Sequence, residues 1–373
     1  MLPASPAAGA EQSGVVTDRP LAGPKSVGDV RDYWTRERMR EATPREITAS
    51  GGASRVDGTS AGASAAGGLS AEAAAVEQPD TTSYPNRVVG KVFFTQPGVG
   101  NFVCSASVIN TDTDAFVLTA GHCVEEGGVF ATNWMFVPGY RGGAEPFGEF
   151  VATQLMVPSQ SPSLSFDHGA AIVAPSPSGQ NVEDVVGAFG IALFEASSQN
   201  WRAYGYPAAA PFDGERLYTC DSPTELLDIT LFPPPVGISC DMTGGASGGP
   251  WVIRDVLVAS NSSYGIVGIP DIVFGPQFQD GAAELFDAAH SASCGGRLPL
   301  IVGTEGPDRL VGTKRRDVIL GDLGHDVILG KGGKDWLCGE EDADTLKGGK
   351  GKDFCDGGQS ADTARRCEKT KRL

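Results

Sequence analysis

The chain has 373 residues, with 46 acidic against 29 basic side chains and a formal net charge of −17. A charge surplus of that sign repels nucleic acid and anionic membrane, so neither is an expected partner, and no apolar run approaches the length needed to span a bilayer. The length leaves room for more than one domain and an ample core.

Residues 1–81 are rich in Ala, Gly, Ser and Pro and cannot bury a core of their own. One helix-like island, Val30 to Ala42, contains Tyr33, Trp34 and Met39. The segment reads as a pro-region cleaved on maturation or as a disordered leader. Its first ten residues have neither a basic start nor a continuous apolar stretch and do not read as a signal peptide.

From 82 to 292 short apolar runs alternate with Gly/Pro turns, as in antiparallel barrels. The runs are Val88 to Phe94, Val103 to Ile109, Phe116 to Thr119, Met135 to Val137, Leu155 to Val157, Trp251 to Ile253 and Val256 to Ala259, and a helix-like run from Asp280 closes the region. Two strings in it carry chemistry. Val-Leu-Thr-Ala-Gly-His-Cys at 117 to 123 sets His122 at the end of an apolar strand, and Thr-Gly-Gly-Ala-Ser-Gly-Gly-Pro at 243 to 250 sets Ser247 among glycines. A serine hydroxyl needs a base to take its proton, and that base needs a carboxylate on its other ring nitrogen. Asp167, which opens the apolar run Gly169 to Val173 between the two strings, is the candidate acid. Gly244 and Gly245 can turn backbone amides inward, where N–H donors stabilise an oxyanion. His168, beside Asp167, is expected at a surface or strand edge.

These strings, in the order His, Asp, Ser, resemble those of chymotrypsin-fold serine proteases, both trypsin-like and V8-like. The resemblance implies a catalytic triad of His122, Asp167 and Ser247, an oxyanion hole from the N–H groups of Gly245 and Ser247, and protein or peptide substrates. It also implies a bridge between Cys104 and Cys123 beside the histidine. Ala246 stands where the trypsin branch has the Asp that receives the new amino terminus. A trypsin-style latch is therefore not expected, although Arg87-Val88-Val89-Gly90 is similar to a trypsin activation site. Six residues before Ser247 is Asp241, the place of the trypsin pocket acid, and Ser263, Tyr264 and Gly265 resemble the strand that runs alongside substrate. Glutamyl-specific relatives place a His near there and this chain has none, so the preference stays open, leaning to Arg or Lys.

From Gly303 the composition changes. Asp recurs at 308, 317, 326, 335, 344, 353 and 362, and Gly in the same nine-residue step from 303 to 357. Two residues after each Asp stands Leu310, Ile319, Ile328, Leu337, Leu346, Cys355 or Ala364. This resembles the nonapeptide repeat of haemolysin-type (RTX) calcium-binding proteins, which implies a parallel β-roll with structural Ca²⁺ held by Asp308, Asp317, Asp326, Asp335, Asp344 and Asp353. With two repeats per turn, Asp308, Asp326 and Asp344 stack in one column and Asp317, Asp335 and Asp353 in another. The second turn glycine is missing at Arg315, Asp342 and Ser360, so some metal sites can have been lost.

The eight cysteines are even in number and placed for bridges rather than metal, which points to an oxidising, extracellular setting. Cys220 frames a short loop with Cys240, Cys355 with Cys367 staples the last turn, and Cys294 with Cys338 completes the set. The expected fold class is thus all-β, a two-barrel antiparallel chymotrypsin-like domain at 82–292, a linker at 293–302, repeats at 303–364 and a tail at 365–373. The expected function is that of a secreted, monomeric serine endopeptidase with a calcium-binding module. An idle protease-like binding module with calcium-dependent adhesion, or an esterase with the same triad, stays open.

Overall fold

The computed structural model describes residues 15–18, 26–50, 53–55, 74–111, 113–293, 300–304, 306–314, 317–340, 342–358 and 360–371. It divides into two compact units between Phe286 and Asp287.

The first unit holds two large, mainly antiparallel sheets. In one, strands Phe150–Pro158, Thr132–Pro138, Val89–Gln96, Gly100–Val108, Phe116–Thr119 and Gly169–Val173 pair in that order, and the last pairs back onto the first, closing a six-stranded barrel. Its strands are dense in β-branched and aromatic residues, which suit a pleated buried surface, and Val92, Phe93, Phe116, Leu118, Phe136 and Phe150 are buried. Val88 and Val89 are wholly buried in this barrel, and Arg87 donates through Nε to the Val186 carbonyl at 2.9 Å. The string similar to an activation site is therefore structural.

In the other sheet, strands Leu257–Asn261, Pro250–Ile253, Asn200–Gly205, Tyr218–Asp228, Val236–Ser239, Ile269–Gly275 and Tyr264–Ile266 follow one another. Trp201, Ala203, Val236, Ile238, Trp251, Ile253 and Ala259 share one core, so strands far apart in the order wrap the same interior. The helix Asp280–Ser293 ends the region, as its sequence predicts.

The amino-terminal segment has no core and borrows one. Val15–Asp18 pairs with the barrel strand at Pro158 to Leu155. The helix-like island is two short helices, Val27–Tyr33, opened by a Ser26 capping box, and Arg36–Glu41. Val30, Trp34 and Met39 are buried, and Trp34 Nε1 donates to the Asn133 carbonyl at 2.6 Å.

The second unit is a parallel β-roll. Leu300, Val318, Trp336 and Phe354 stand in register on one sheet, and Arg309, Val327, Thr345 and Thr363 on the other. Each step is two nonapeptides. Ile319, Ile328, Leu337, Leu346 and Cys355 fill the space between the sheets. Leu300–Val302, read as linker, is the first strand of the roll. Lys369–Lys371, read as tail, pairs with Phe354–Asp356 as its last.

Bridges join Cys104 to Cys123, Cys220 to Cys240 and Cys355 to Cys367. Cys338 is also disulfide-bonded, and Cys294, its expected partner, lies outside the described residues.

Candidate active site and calcium sites

Strand register brings the first two site residues together. Gly169 pairs with Thr119 in an antiparallel ladder, so Asp167, two residues before the one, stands level with the turn Gly121–Cys123 that follows the other. His122 Nδ1 lies 2.8 Å from Asp167 Oδ2, and the His122 backbone N–H donates to Asp167 Oδ1 at 2.9 Å. Ser263 Oγ also donates to Asp167 Oδ2, and Asn261 Nδ2 donates to the Asp167 backbone carbonyl at 3.1 Å. Burial by itself raises the Asp167 carboxyl. The charge of His122 and hydrogen bonds from His122 and Ser263 outweigh it and hold the group below its ordinary value. Both side chains are buried, with exposures of 5% and 6%.

Ser247 sits in a loop that the first barrel grips. Its carbonyl accepts the Ser105 N–H at 2.7 Å and lies 4.0 Å from the sulfur of Cys123, the residue after His122. Gly245 has φ +98°, and a Cβ there would stand 2.8 Å from the Tyr206 carbonyl, so only glycine suits the position. The Gly244 carbonyl accepts the Ala208 N–H at 2.7 Å.

Asp241, Ser263, Tyr264 and Gly265 line one cavity of about 250 Å³ together with Ser247. The sequence places Ser263 in the substrate pocket; it lines this cavity, and its hydroxyl also donates to Asp167. Asp241 Oδ1 accepts the backbone N–H of Ala75 at 2.7 Å. His168 is not at an edge. It is wholly buried, its ring faces Phe278 with centroids 5.5 Å apart, and burial pushes its pKa down to about 4 despite Asp167.

The cavity already holds part of the chain, which the sequence did not announce. Thr43–Pro44 pairs in parallel with Phe102–Val103, and Ile47–Ala49 in parallel with Tyr264–Ile266. Between these pairings, the Arg45 carbonyl accepts the Ser247 hydroxyl at 3.2 Å, the Arg45 side chain ion-pairs with Glu126, and Glu46 lines the cavity beside Gly244. His122 Nε2 has no hydrogen-bond partner among the described residues. The Ser247 hydroxyl proton is thus given to a carbonyl oxygen of this strap, residues 43–49.

In the roll the two predicted columns form. Each Asp offers Oδ1 to the backbone N–H of the Asp one turn earlier, from Asp308 on Asp326, Asp326 on Asp344, Asp317 on Asp335 and Asp335 on Asp353, at 2.7 to 3.0 Å. Asp362 continues the first column and Glu368 the second, at 2.7 and 2.6 Å. Asp362 was visible in the period; Glu368 was not, because it breaks the nine-residue step. The outer oxygens differ along the roll. Oδ2 of Asp308 and of Asp317 takes the hydroxyls of Thr304 and Thr313, whereas Oδ2 of Asp335, Asp344, Asp353 and Asp362 is buried without a donor among the described residues. Burial, with the neighbouring Asp charges, pushes Asp335 and Asp344 up to about 6.

Buried carboxylate oxygens without donors need a cation. A Cβ built on Gly330 would meet Asp335 Oδ2 at 2.6 Å and the Gly348 carbonyl at 2.7 Å, and one on Gly339 would meet Asp344 Oδ2 at 2.2 Å and the Gly357 carbonyl at 2.4 Å. Carboxylate and carbonyl oxygens therefore converge beside each glycine, with no nitrogen or sulfur ligand, which is the donor set of Ca²⁺. Asp335 and Asp344 with these carbonyls fit the ion, which would there supply charge balance and cross-linking.

Comparison with known proteins agrees for both units. The family model of the RTX calcium-binding nonapeptide repeat (4 copies) matches residues 302–337 and 330–364. Protease Anisep from Arthrobacter nicotinovorans is 35% identical over 58% of this chain and 100% of its own, with a TM-score of 0.52. The thermostable serine protease AL20 from an extremophilic microorganism is 36% identical over 55% of this chain and 97% of its own, also with a TM-score of 0.52. No curated protein matches the sequence. The chain belongs to the chymotrypsin-fold serine protease family of these two enzymes and carries calcium-binding RTX repeats at its carboxy-terminal end.

Proposed function

We propose that the protein is a secreted serine endopeptidase, made latent by its own amino-terminal segment. The observation that carries the proposal is the His122–Asp167 pair, doubly hydrogen-bonded and buried, in the same unit as a serine loop whose hydroxyl the strap has engaged. In the reaction Ser247 Oγ attacks the scissile carbonyl carbon while His122 Nε2 takes its proton, and Asp167 holds the imidazole tautomer through Nδ1. The oxyanion is received by the N–H groups of Gly245 and Ser247. The proton on His122 then passes to the leaving amine, and water repeats the sequence to release the acid.

The strap, within the segment read as a pro-region of residues 1–81, supports latency. Attack requires the serine oxygen to face a carbonyl carbon, with the carbonyl oxygen on the amide donors. At Arg45 the carbonyl oxygen instead accepts from the serine hydroxyl itself, a contact that leads to no bond. Removal of this segment frees the cavity for a peptide. The disulfides support an extracellular setting.

The test is a fluorophosphonate probe and a proteome-derived peptide library, applied to the chain before and after limited proteolysis of the leader in calcium. Probe labelling and peptide cleavage that appear after leader loss, and are absent in Ser247→Ala, support the proposal. Folded, leader-free protein that neither labels nor cleaves overturns it in favour of an idle binding module. Cleavage of esters alone identifies an esterase.

A further inference from the structure

The loop that carries the nucleophile shows how it is held. From Thr243 to Ser247 every carbonyl accepts a hydrogen bond. Thr243 accepts from the N–H of Ala246, Gly244 from that of Ala208, Ala246 from that of Gly249 and Ser247 from that of Ser105, at 3.2, 2.7, 2.9 and 2.7 Å. These four donors are backbone groups. The Gly245 carbonyl alone depends on a side chain, the hydroxyl of Ser105, at 2.9 Å.

Ser105 is wholly buried, and its hydroxyl is fully used, donating to Gly245 and accepting the Tyr206 N–H at 2.9 Å. Its own carbonyl accepts the Thr119 hydroxyl at 2.8 Å, which ties it to the strand leading to His122. The Gly245 carbonyl belongs to the peptide unit between Gly245 and Ala246, flanked by the two amides proposed as oxyanion donors. Gly245 has φ +98° and no Cβ, so its backbone carries little intrinsic restraint against rotating that unit. Ala246 has no charge with which to fix the loop.

We infer that Ser105 is a positioning residue for the oxyanion loop, its hydroxyl locking the Gly245–Ala246 peptide so that the flanking N–H groups keep their aim. The inference rests on the proposed protease activity. Without the hydroxyl the Gly245 carbonyl loses its donor, and misplacement of donors by about an ångström costs on the order of 100-fold in rate.

Thr and Val have the same shape and differ at this position only by the hydroxyl. The experiment compares leader-free Ser105→Thr and Ser105→Val in calcium, with kcat expressed per active site counted at the end point of fluorophosphonate titration, so that unfolded molecules do not enter the number. The expected result is Thr within about threefold of wild type, and Val lower in kcat by roughly 10- to 100-fold with KM nearly unchanged. Affinity for a peptide boronic acid, which needs the oxyanion donors, falls in parallel for Val. Equal kcat per site for Thr and Val overturns the inference, as does a loss in Val carried by KM alone. A wild-type enzyme that never reacts with the probe overturns the protease reading itself, and this inference with it.

Discussion

The two units solve the same problem, keeping carboxylates in a folded interior, in opposite ways. In the protease unit Asp167 is buried and surrounded by donors from His122 and Ser263. In the roll, Asp335, Asp344, Asp353 and Asp362 keep an oxygen with no donor among the described residues, over a core one side chain wide. The first unit carries its own compensation. The second leaves charge that calcium, the ion its repeats bind, can balance.

The sharpest break between them is catalytic. Ser247→Ala in the leader-free protein is expected to lower peptide turnover by about a million-fold with the calcium response of the roll unchanged, read by cleavage kinetics and circular dichroism. Calcium removal is the converse. A chelator should strip hydrogen-exchange protection from residues 300–371 while the strands around His122 stay protected, because binding to the folded state alone contributes about 2.7 kcal/mol per site at a hundred times Kd. Protection that survives chelation in the roll would show that the carboxylate columns stand without metal.

A third test uses pH. His168 is protonated only near pH 4 when folded and near 6.5 when unfolded, so the unfolded state binds the extra proton between those values. Its contribution is full above 6.5 and is lost as pH falls toward 4, about 3 kcal/mol in all. Urea midpoints of the protease unit should follow that slope, and His168→Gln should flatten it. The smallest effect is expected at the surface, where Arg202 pairs with Asp221 and both are exposed. Arg202→Ala should cost at most about 1 kcal/mol, and a larger loss in thermal unfolding would mean that the pair braces the sheet.

Much of this was legible beforehand because it is written in local spacing. The nine-residue period of Asp and Gly contains the roll, its two columns and its inward aliphatic residues, since a parallel coil repeats the same contacts at each turn. The meeting of His122 with Asp167 and the glycine turn around Ser247 were legible for another reason: each residue sits in a string whose turn geometry needs glycine or a strand end at fixed offsets. That the Ser263 hydroxyl bonds Asp167 was not legible, because which carboxylate a strand hydroxyl meets depends on which neighbour lies behind it. His168 was misplaced because burial is a property of the assembled barrel and leaves no mark in Phe-Asp-His-Gly.

The sequence by itself therefore determined which groups are available: a histidine, an aspartate and a serine in one family order, and oxygen ligands at a metal-binding period. Only the tertiary structure decided which groups meet. Arg45 and Ser247 are 202 residues apart, and no periodicity links them. The leader reaches the cavity because a segment too poor in apolar residues to fold alone gains strand pairing and burial from the barrel. Ser105 acquires its place by the same logic, since a buried hydroxyl must find a donor and an acceptor, and only the packed fold supplies Tyr206 and Gly245 on either side of it.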